Sequence, residues 1–197
     1  MNKIIKKFEE MRDFLSKGYI VAYPTESTYG IGVDPFNSDA VDLIKTIKPR
    51  DTDKSFIILI KDFDMLRRVA ETNNDGINFL EKIWPGPVSV ILKAKKSFPD
   101  YAKDAKGNVC LRLSPAKFMK EFYEYYDRPI ISTSANPSGY PPAKDEIEVL
   151  AYFNSEEKIR VFADIYKDVG KFKPSTIIDL SGDEPKVLRQ GSFHISF

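Results

Sequence analysis

The chain has 197 residues, of which 42% are hydrophobic and 13% aromatic, so it is long enough to bury the core of one compact domain. Lysine and arginine number 30 against 29 aspartates and glutamates, and the net charge of +1 lacks the positive surplus typical of nucleic-acid-binding modules. The single cysteine, Cys110, and the single histidine, His194, exclude disulfides and Cys/His zinc sites and argue against a histidine-based catalytic triad.

The N-terminal segment has the spacing of an amphipathic helix. Apolar residues recur from Ile4 to Leu15 at helical intervals, and Gly18 follows where a helix would end. The segment lacks a continuous apolar core, so it predicts neither a signal peptide nor a membrane span, and we expect a cytoplasmic protein. The next residues, 19–23, favour a strand that Pro24 ends.

The central part of the chain alternates between helical and strand patterns. Apolar spacing predicts helices over 38–48, with Asn37 or Ser38 as the cap, and over 62–70 and 75–83. Short apolar runs predict strands over 55–60 and 88–94.

The C-terminal half predicts a mixed sheet. Val109, Leu111 and Leu113 alternate with Cys110 and Arg112, as in a half-buried strand whose Arg112 points away from the core. A helix begins near Ser114 and Pro115, and further elements follow as a strand at 129–133, a helix near 144–153 and strands at 159–163, 176–180 and 186–190. Because the last strands follow one another without helices, the pattern predicts an α/β fold with a mixed sheet.

Two segments place small hydroxyl residues directly after a strand. These are "YPTESTYGIG" at 23–32 and "PIISTSANPSG" at 129–139. Such residues bond readily to nearby backbone, so turn chemistry alone explains either segment. The alternative is a binding edge, because ligands of α/β sheets tend to lie beyond strand ends.

The candidate anion sites are local clusters of charge. No phosphate-binding loop or dinucleotide fingerprint is present, but "IKPRDTDKS" supplies Lys48, Arg50 and Lys54 between a helix end and a strand. Either the cluster binds a phosphate, or Lys48 and Arg50 merely complement the helix dipole. Arg112 either binds a carboxylate with its forked guanidinium or forms a weak surface ion pair.

Seven segments, taken in order, resemble the YrdC family of threonylcarbamoyl-AMP synthases. They are "YPTESTYGIG", "KPRDTDK", "WPGPVSVIL", "VCLRL", "ISTSANPSG", "PSTIIDL" and "VLRQG", and the resemblance spans residues 19–191. It implies one YrdC-like α/β domain over 1–197, a twisted mixed sheet with flanking helices around a concave basic cavity. It also implies a reaction in which ATP, L-threonine and bicarbonate give threonylcarbamoyl-AMP and pyrophosphate, the first step of N6-threonylcarbamoyladenosine formation in tRNA.

The resemblance also implies roles for individual residues. The expected catalytic cations at the ATP phosphates are Lys48, Arg50 and Lys54. The expected ATP-binding residues are Arg50, Lys54, Asn108, Ser134, Asn136 and Arg189, and the expected threonine-binding residues are Ser27, Arg112, Ser132 and Ser175. Mg²⁺ is expected with ATP, and no side chain is assigned as its ligand.

The chain departs from the family pattern at several positions. Leu59 stands where some relatives carry a histidine near threonine, and Pro49 and Asp51 replace a glycine and a proline. The expected form is the short bacterial one, which passes its product to a separate tRNA threonylcarbamoyl transferase complex. Because the family's cavity is basic, an RNA-binding or ribosome-maturation protein is the alternative, and the charge of +1 predicts only weak tRNA binding.

Overall fold

The computed structural model of the chain describes residues 3–49, 55–165 and 174–195. Within these ranges the chain forms ten β-strands and six α-helices, and every strand belongs to one sheet. The strands are β1 (Ile4–Ile5), β2 (Ile20–Pro24), β3 (Tyr29–Val33), β4 (Ile57–Leu59), β5 (Val88–Lys93), β6 (Asn108–Arg112), β7 (Ile130–Ser134), β8 (Ile159–Phe162), β9 (Thr176–Asp179) and β10 (Lys186–Arg189). The helices are α1 (Phe8–Ser16), α2 (Ser38–Ile47), α3 (Phe63–Val69), α4 (Asn74–Leu80), α5 (Lys117–Phe122) and α6 (Glu146–Tyr152).

The sheet is mixed, in the order β1-β8-β2-β3-β7-β4-β6-β5-β9-β10. Strand β8 runs parallel to β1 and β2, β4 parallel to β6, and β5 parallel to β9. The remaining neighbours are antiparallel, including β2 with β3 and β9 with β10, which a short turn can join. The predicted α/β fold with a mixed sheet is confirmed.

Four helices begin at a side-chain cap. Asn37 accepts a 3.0 Å hydrogen bond from the backbone N–H of Ala40 and so starts α2, which decides between the two predicted caps. Asp62, Asn73 and Asp145 start α3, α4 and α6 in the same way. These polar residues fix where each helix begins, and the apolar stripe behind them packs on the sheet.

Helix α5 and the N-terminal helix cover one end of the sheet with aromatic rings. Phe118 of α5 packs against Phe8 and Phe162, with ring centroids 5.3 Å and 4.9 Å away. The Tyr23 ring of β2 lies parallel to Phe118 at 6.0 Å. The predicted apolar face of this helix, Phe118, Met119, Phe122, Tyr123 and Tyr126, is buried as expected.

The register brings polar residues of separate strands onto one sheet face. Ser132 of β7 pairs with Ile57 of β4, which pairs in turn with Cys110 of β6. Leu59, two residues after Ile57, pairs with Arg112 of β6. Paired residues share a face, and so do alternate residues of one strand. Ser132 and Arg112 therefore emerge on the same side of the sheet.

The predicted start of the N-terminal helix is wrong. Ile4–Ile5 form strand β1 beside β8, and α1 begins only at Phe8. The Glu10 carboxylate accepts the backbone N–H of Lys7 at 3.2 Å, which fixes the first turn after the two isoleucines. Apolar residues there satisfy a strand edge rather than a helix face.

Two further predictions at strand ends need correction. Residues 29–33 form strand β3 rather than the Gly-bearing turn expected after β2. Gly30 and Gly32 pair with β2 on one side and with β7 on the other, so both lie within a central strand. The α5 helix begins at Lys117 rather than at Ser114, although the Ser114 hydroxyl accepts the N–H of Ala116 at 3.2 Å.

The described part of the chain contains no helix that is both long and apolar enough to span a membrane.

Candidate active site

A cleft of about 320 Å³ opens on the sheet face that carries Ser132 and Arg112. Its walls come from β7, from the β2–β3 turn, from the ends of β4 and β6, and from the segment leading into β9. Six residues predicted to bind substrates line it: Ser27, Arg112, Ser132, Ser134, Ser175 and Arg189. Residues far apart in the sequence thus meet in one cavity.

The hydroxyl residues of the β2–β3 turn both stabilise the turn and line the cleft. Thr25 bonds internally, since its hydroxyl donates to the Thr28 carbonyl at 2.6 Å and accepts the N–H groups of Ser27 and Thr28 at 3.3 Å. The same turn lines the cleft from residue 25 to 30. Thr25 therefore builds the turn, and the turn presents Ser27 to the cavity.

Tyr23 holds Ser132 from beneath the cleft. Its phenol donates to the Ser132 hydroxyl at 2.7 Å, across strand β3. Burial raises the pKa of the Tyr23 phenol well above its usual range, so the group stays protonated and keeps donating. A Cβ at Gly32 would lie 2.9 Å from the Tyr23 ring, which explains the glycine in the middle of a strand.

The guanidinium of Arg112 lies at one end of the cleft and is held from two sides. Its Nε donates to the Gly86 carbonyl at 3.3 Å, and one Nη2 hydrogen bond goes to the Glu26 carboxylate. Only 12% of the Arg112 side chain and 7% of the Glu26 side chain are exposed. The exposed position and the weak surface pair considered for Arg112 are therefore wrong, because the partner is a buried carboxylate on the turn.

Arg189 reaches the cleft from the last strand of the sheet. It donates to the Ser175 carbonyl at 2.8 Å and 3.1 Å, and the Ser175 hydroxyl lies 3.1 Å from that of Ser89. Strand β10 is exposed along its whole length, yet these bonds fix the guanidinium beside Ser175. The two predicted residues form one connected group.

The other end of the cleft is backed by a buried lysine. Lys48 donates from Nζ to the carbonyl and the Oδ1 of Asn136, at 2.8 Å and 2.9 Å, and lies 3.4 Å from the Ser134 hydroxyl. The Asn136 amide in turn donates to the carbonyl of Tyr140 at 2.6 Å. Lys48 thus joins the end of α2 to the loop that follows β7.

Asn108 does not line the cleft, and two other predicted residues cannot be placed relative to it. Asn108 begins β6, about 13 Å along the strand from Arg112, and its amide lies 3.4 Å from the Asp104 carboxylate. Arg50 and Lys54 lie outside the described residues. The nucleotide roles of all three, and the basic character of the cavity, stay predictions.

No group of three or more His, Cys, Asp or Glu residues within the described ranges has the arrangement of a metal site. Glu26 is the acidic residue of the cleft lining, and its two oxygens contact Arg112 and Ser114.

Sequence reasoning missed two residues of the site, Tyr23 and Glu26. Both stand in the quoted segment "YPTESTYGIG", but Tyr23 is indistinguishable there from any strand aromatic. Gly32, within an otherwise apolar strand pattern, was the available signal that a large side chain crosses there.

Proteins of known sequence resemble this chain over most of its length. A threonylcarbamoyl-AMP synthase of Pseudomonas entomophila (strain L48) is 34% identical over 177 residues, 88% of this chain and 91% of the relative. A protein of the same name from Vibrio vulnificus (strain YJ016) is 29% identical over 191 residues, 95% and 100% of the two chains.

Solved structures resemble the fold as well. The crystal structure of P. abyssi Sua5 complexed with L-threonine has a TM-score of 0.82 and 28% identity, covering 97% of this chain. The chain spans only 57% of that Sua5 chain. E. coli YciO, with a TM-score of 0.80 and 21% identity over 97% of this chain and 96% of its own, shares the fold.

The family assignment rests on a match to a family model. The model of the Sua5, YciO and YrdC proteins, described as telomere recombination, matches residues 13–191. That range runs from α1 to just beyond β10 and includes every strand that contributes to the cleft. The chain belongs to the Sua5/YciO/YrdC family.

Proposed function

We propose that this chain is a threonylcarbamoyl-AMP synthase, which converts ATP, L-threonine and bicarbonate to threonylcarbamoyl-AMP and pyrophosphate. The names of its relatives support the reaction, and the threonine complex of P. abyssi Sua5 supports the amino-acid substrate. The observation that carries the proposal is the cleft itself. It places the Arg112 guanidinium and several hydroxyls at one end, and Lys48 with Ser134 and Asn136 at the other.

The Arg112 end suits the amino acid. A guanidinium has five N–H groups, and two of those of Arg112 are used by Gly86 and Glu26, so others remain for a substrate carboxylate. Ser27, Ser132 and Ser175 line the same cleft and can bond to the threonine hydroxyl. Small hydroxyl side chains of the site thus recognise the small polar side chain of threonine.

The Lys48 end suits the nucleotide. Lys48 positions Ser134 and Asn136. Arg189 adds a cation to the cleft lining from the side of Ser175. Arg50 and Lys54 follow α2 in the sequence and complete the proposed phosphate site. In this arrangement the cations neutralise the charge that develops on the leaving pyrophosphate.

The proposed chemistry needs positioning rather than an enzyme nucleophile. The threonine amine attacks CO2 derived from bicarbonate and loses a proton, which gives a carbamate. A carbamate oxygen then attacks the α-phosphorus of ATP, and the bond from that phosphorus to pyrophosphate breaks. The enzyme holds the carbamate at the Arg112 end, in line with the phosphates, and both reacting groups gain from this proximity.

Mg²⁺ is proposed to enter with ATP. Mg²⁺ commonly binds through substrate phosphates and keeps several waters, which fits a cleft whose described lining offers a single carboxylate. Bound there, it would supply further charge neutralisation on the phosphates. We also propose a cytoplasmic location and delivery of the product to a tRNA threonylcarbamoyl transferase complex.

Product analysis tests the proposal. Purified protein is incubated with ATP, Mg²⁺, L-threonine and bicarbonate, and pyrophosphate and the adenylate are followed by chromatography and mass spectrometry. We expect both products only when threonine and bicarbonate are present together. Pyrophosphate release that is independent of threonine, or no product from folded protein, contradicts the proposal.

A further inference from the structure

Glu26 is a buried acid in the wall of the cleft, and the proposed reaction leaves it without a role. Its side chain is 7% exposed and lies on the β2–β3 turn, beside Ser27. Burying a carboxylate is costly unless it is paired, so its position requires a partner that stays in place.

Two groups partner the Glu26 carboxylate. Oε1 accepts a hydrogen bond from Arg112, and Oε2 accepts one from the Ser114 hydroxyl at 3.2 Å. A carboxylate oxygen can accept more than one hydrogen bond, so each keeps capacity for another donor. Arg112 likewise keeps N–H groups beyond those that Gly86 and Glu26 use.

The pair therefore presents an anion and a cation side by side at one end of the cavity. A free α-amino acid carries the matching groups, an ammonium and a carboxylate, separated by a single carbon atom. A simple carboxylate ligand would gain from Arg112 but would be repelled by Glu26. An amino acid gains from both.

We propose that Glu26 binds the α-ammonium of the substrate amino acid, and that the Glu26–Arg112 pair selects an amino acid over the corresponding hydroxy acid. The inference rests on the proposed function, because it assigns a role within the same substrate site. It adds a binding residue at the amine, which is the atom that must be carbamoylated.

The alternative is a purely structural pair, in which Glu26 only neutralises Arg112. The two roles differ in what they do to ligand discrimination. A structural Glu26 affects every ligand of Arg112 alike, whereas an ammonium-binding Glu26 affects only ligands that carry the amine.

The test compares two ligands and two proteins by calorimetric titration without ATP. The ligands are L-threonine and the dihydroxy acid in which a hydroxyl replaces the threonine amine with the same configuration. The proteins are wild type and Glu26→Gln, which keeps the shape and removes the charge. Glu81→Gln, at an exposed position outside the cleft lining, is the matched control.

We expect wild type to bind threonine at least about tenfold more tightly than the dihydroxy acid. In Glu26→Gln we expect threonine to lose about tenfold in affinity while the dihydroxy acid binds equally well or better, since the repelling charge is gone. Glu26→Asp, which retains the charge, should recover part of the preference, and Glu81→Gln should match wild type.

Three results overturn the inference. The first is equal affinity of wild-type protein for both ligands, which overturns the inference whether or not Glu26→Gln folds. The second is an equal loss of affinity for both ligands in folded Glu26→Gln. Folded wild-type protein that binds no threonine overturns the inference together with the proposed function. Threonine binding with the expected discrimination but no adenylate formation contradicts the proposed function alone.

Discussion

The Tyr23 hydroxyl of β2 donates a 2.7 Å hydrogen bond to the Ser132 hydroxyl of β7, although strand β3 lies between them. The bond exists because Gly32 of β3 has no side chain where the Tyr23 ring passes. A Cβ there would also meet the Ile131 carbonyl at 2.8 Å. One glycine thus determines how a predicted substrate residue is held.

Gly32→Ala should destabilise the protein and impair the site. The added methyl group meets backbone that cannot move aside without shifting a central strand, and we expect a loss of about 1 to 3 kcal/mol in the free energy of unfolding. Threonine affinity should fall as well, because Tyr23 can no longer fix Ser132. Urea denaturation and calorimetric titration measure the two effects.

Gly182→Ala is the control for this substitution. Gly182 is exposed, and a Cβ built there meets no described atom within 4 Å. Its unfolding free energy should stay within about 0.5 kcal/mol of wild type. Equal stability of the two variants would contradict the packing argument at Gly32.

Arg112→Lys should weaken threonine binding without removing the positive charge beside Glu26. Lysine lacks the planar fork that can hold Glu26, Gly86 and a substrate carboxylate together. We expect the threonine dissociation constant to rise by about ten- to a hundredfold, with ATP affinity nearly unchanged. Arg67→Lys, on the exposed surface of α3, is the control, and unchanged threonine affinity in Arg112→Lys would refute the carboxylate assignment.

Lys48→Met should weaken the binding of ATP rather than that of threonine. It removes the charge and the donor that holds Asn136, so we expect ATP affinity to fall by about tenfold or more while threonine affinity stays within about twofold. Arg50→Ala and Lys54→Ala carry the same prediction from the sequence. Titration of both ligands checks it, with Lys82→Met as an exposed control; a variant that loses threonine rather than ATP would reverse the assignment.

Alkaline pH should unfold the protein as its buried tyrosines ionise. Burial raises the pKa of Tyr23, Tyr29, Tyr123 and Tyr126 well above the usual value for a phenol. The unfolded chain therefore releases these protons first, and stability, complete below a pH of about 10, declines as pH rises further. Ultraviolet titration should show these phenols ionising together with the loss of circular dichroism; early, reversible ionisation of all tyrosines would contradict it.

Binding to tRNA should be weak and sensitive to salt. Phosphate contacts supply most nonspecific affinity for nucleic acids, and a net charge of +1 provides no large surplus of positive charge for them. Fluorescence anisotropy across a salt series should show binding that fades toward physiological ionic strength and does not depend on threonine or ATP. Tight binding at that salt, combined with no ATP binding, would favour the RNA-binding alternative.

The sequence predicts most of the fold because its elements carry local signals. Helix α2 has both its apolar stripe and its Asn37 cap within the segment itself. Strands β1 and β3 were not predicted for a different reason. Ile4–Ile5 are defined by pairing with β8, and Gly32 is required by the Tyr23 ring of the neighbouring strand. Tertiary contacts override local preference at these positions.

The site is predictable to a similar extent. Hydroxyls at strand ends and an arginine on a half-buried strand indicate Ser27, Ser132 and Arg112, and the structure brings all three to one cleft. The buried contact between Arg112 and Glu26 is not visible in the sequence, because 86 positions separate its partners. Only the sheet register and the turn after β2 bring them together.

The position of each strand in the sheet also sets how easily its residues can leave the cleft. Ser132 and Ser134 stand on β7, which is bonded on both sides, whereas Arg189 stands on β10, an exposed strand that pairs with β9. Amide hydrogen exchange should therefore be slow for β7 and fast for β10, whose opening costs far less than global unfolding. One wall of the cavity is therefore fixed for as long as the protein is folded, whereas the strand carrying Arg189 opens locally at a lower free-energy cost.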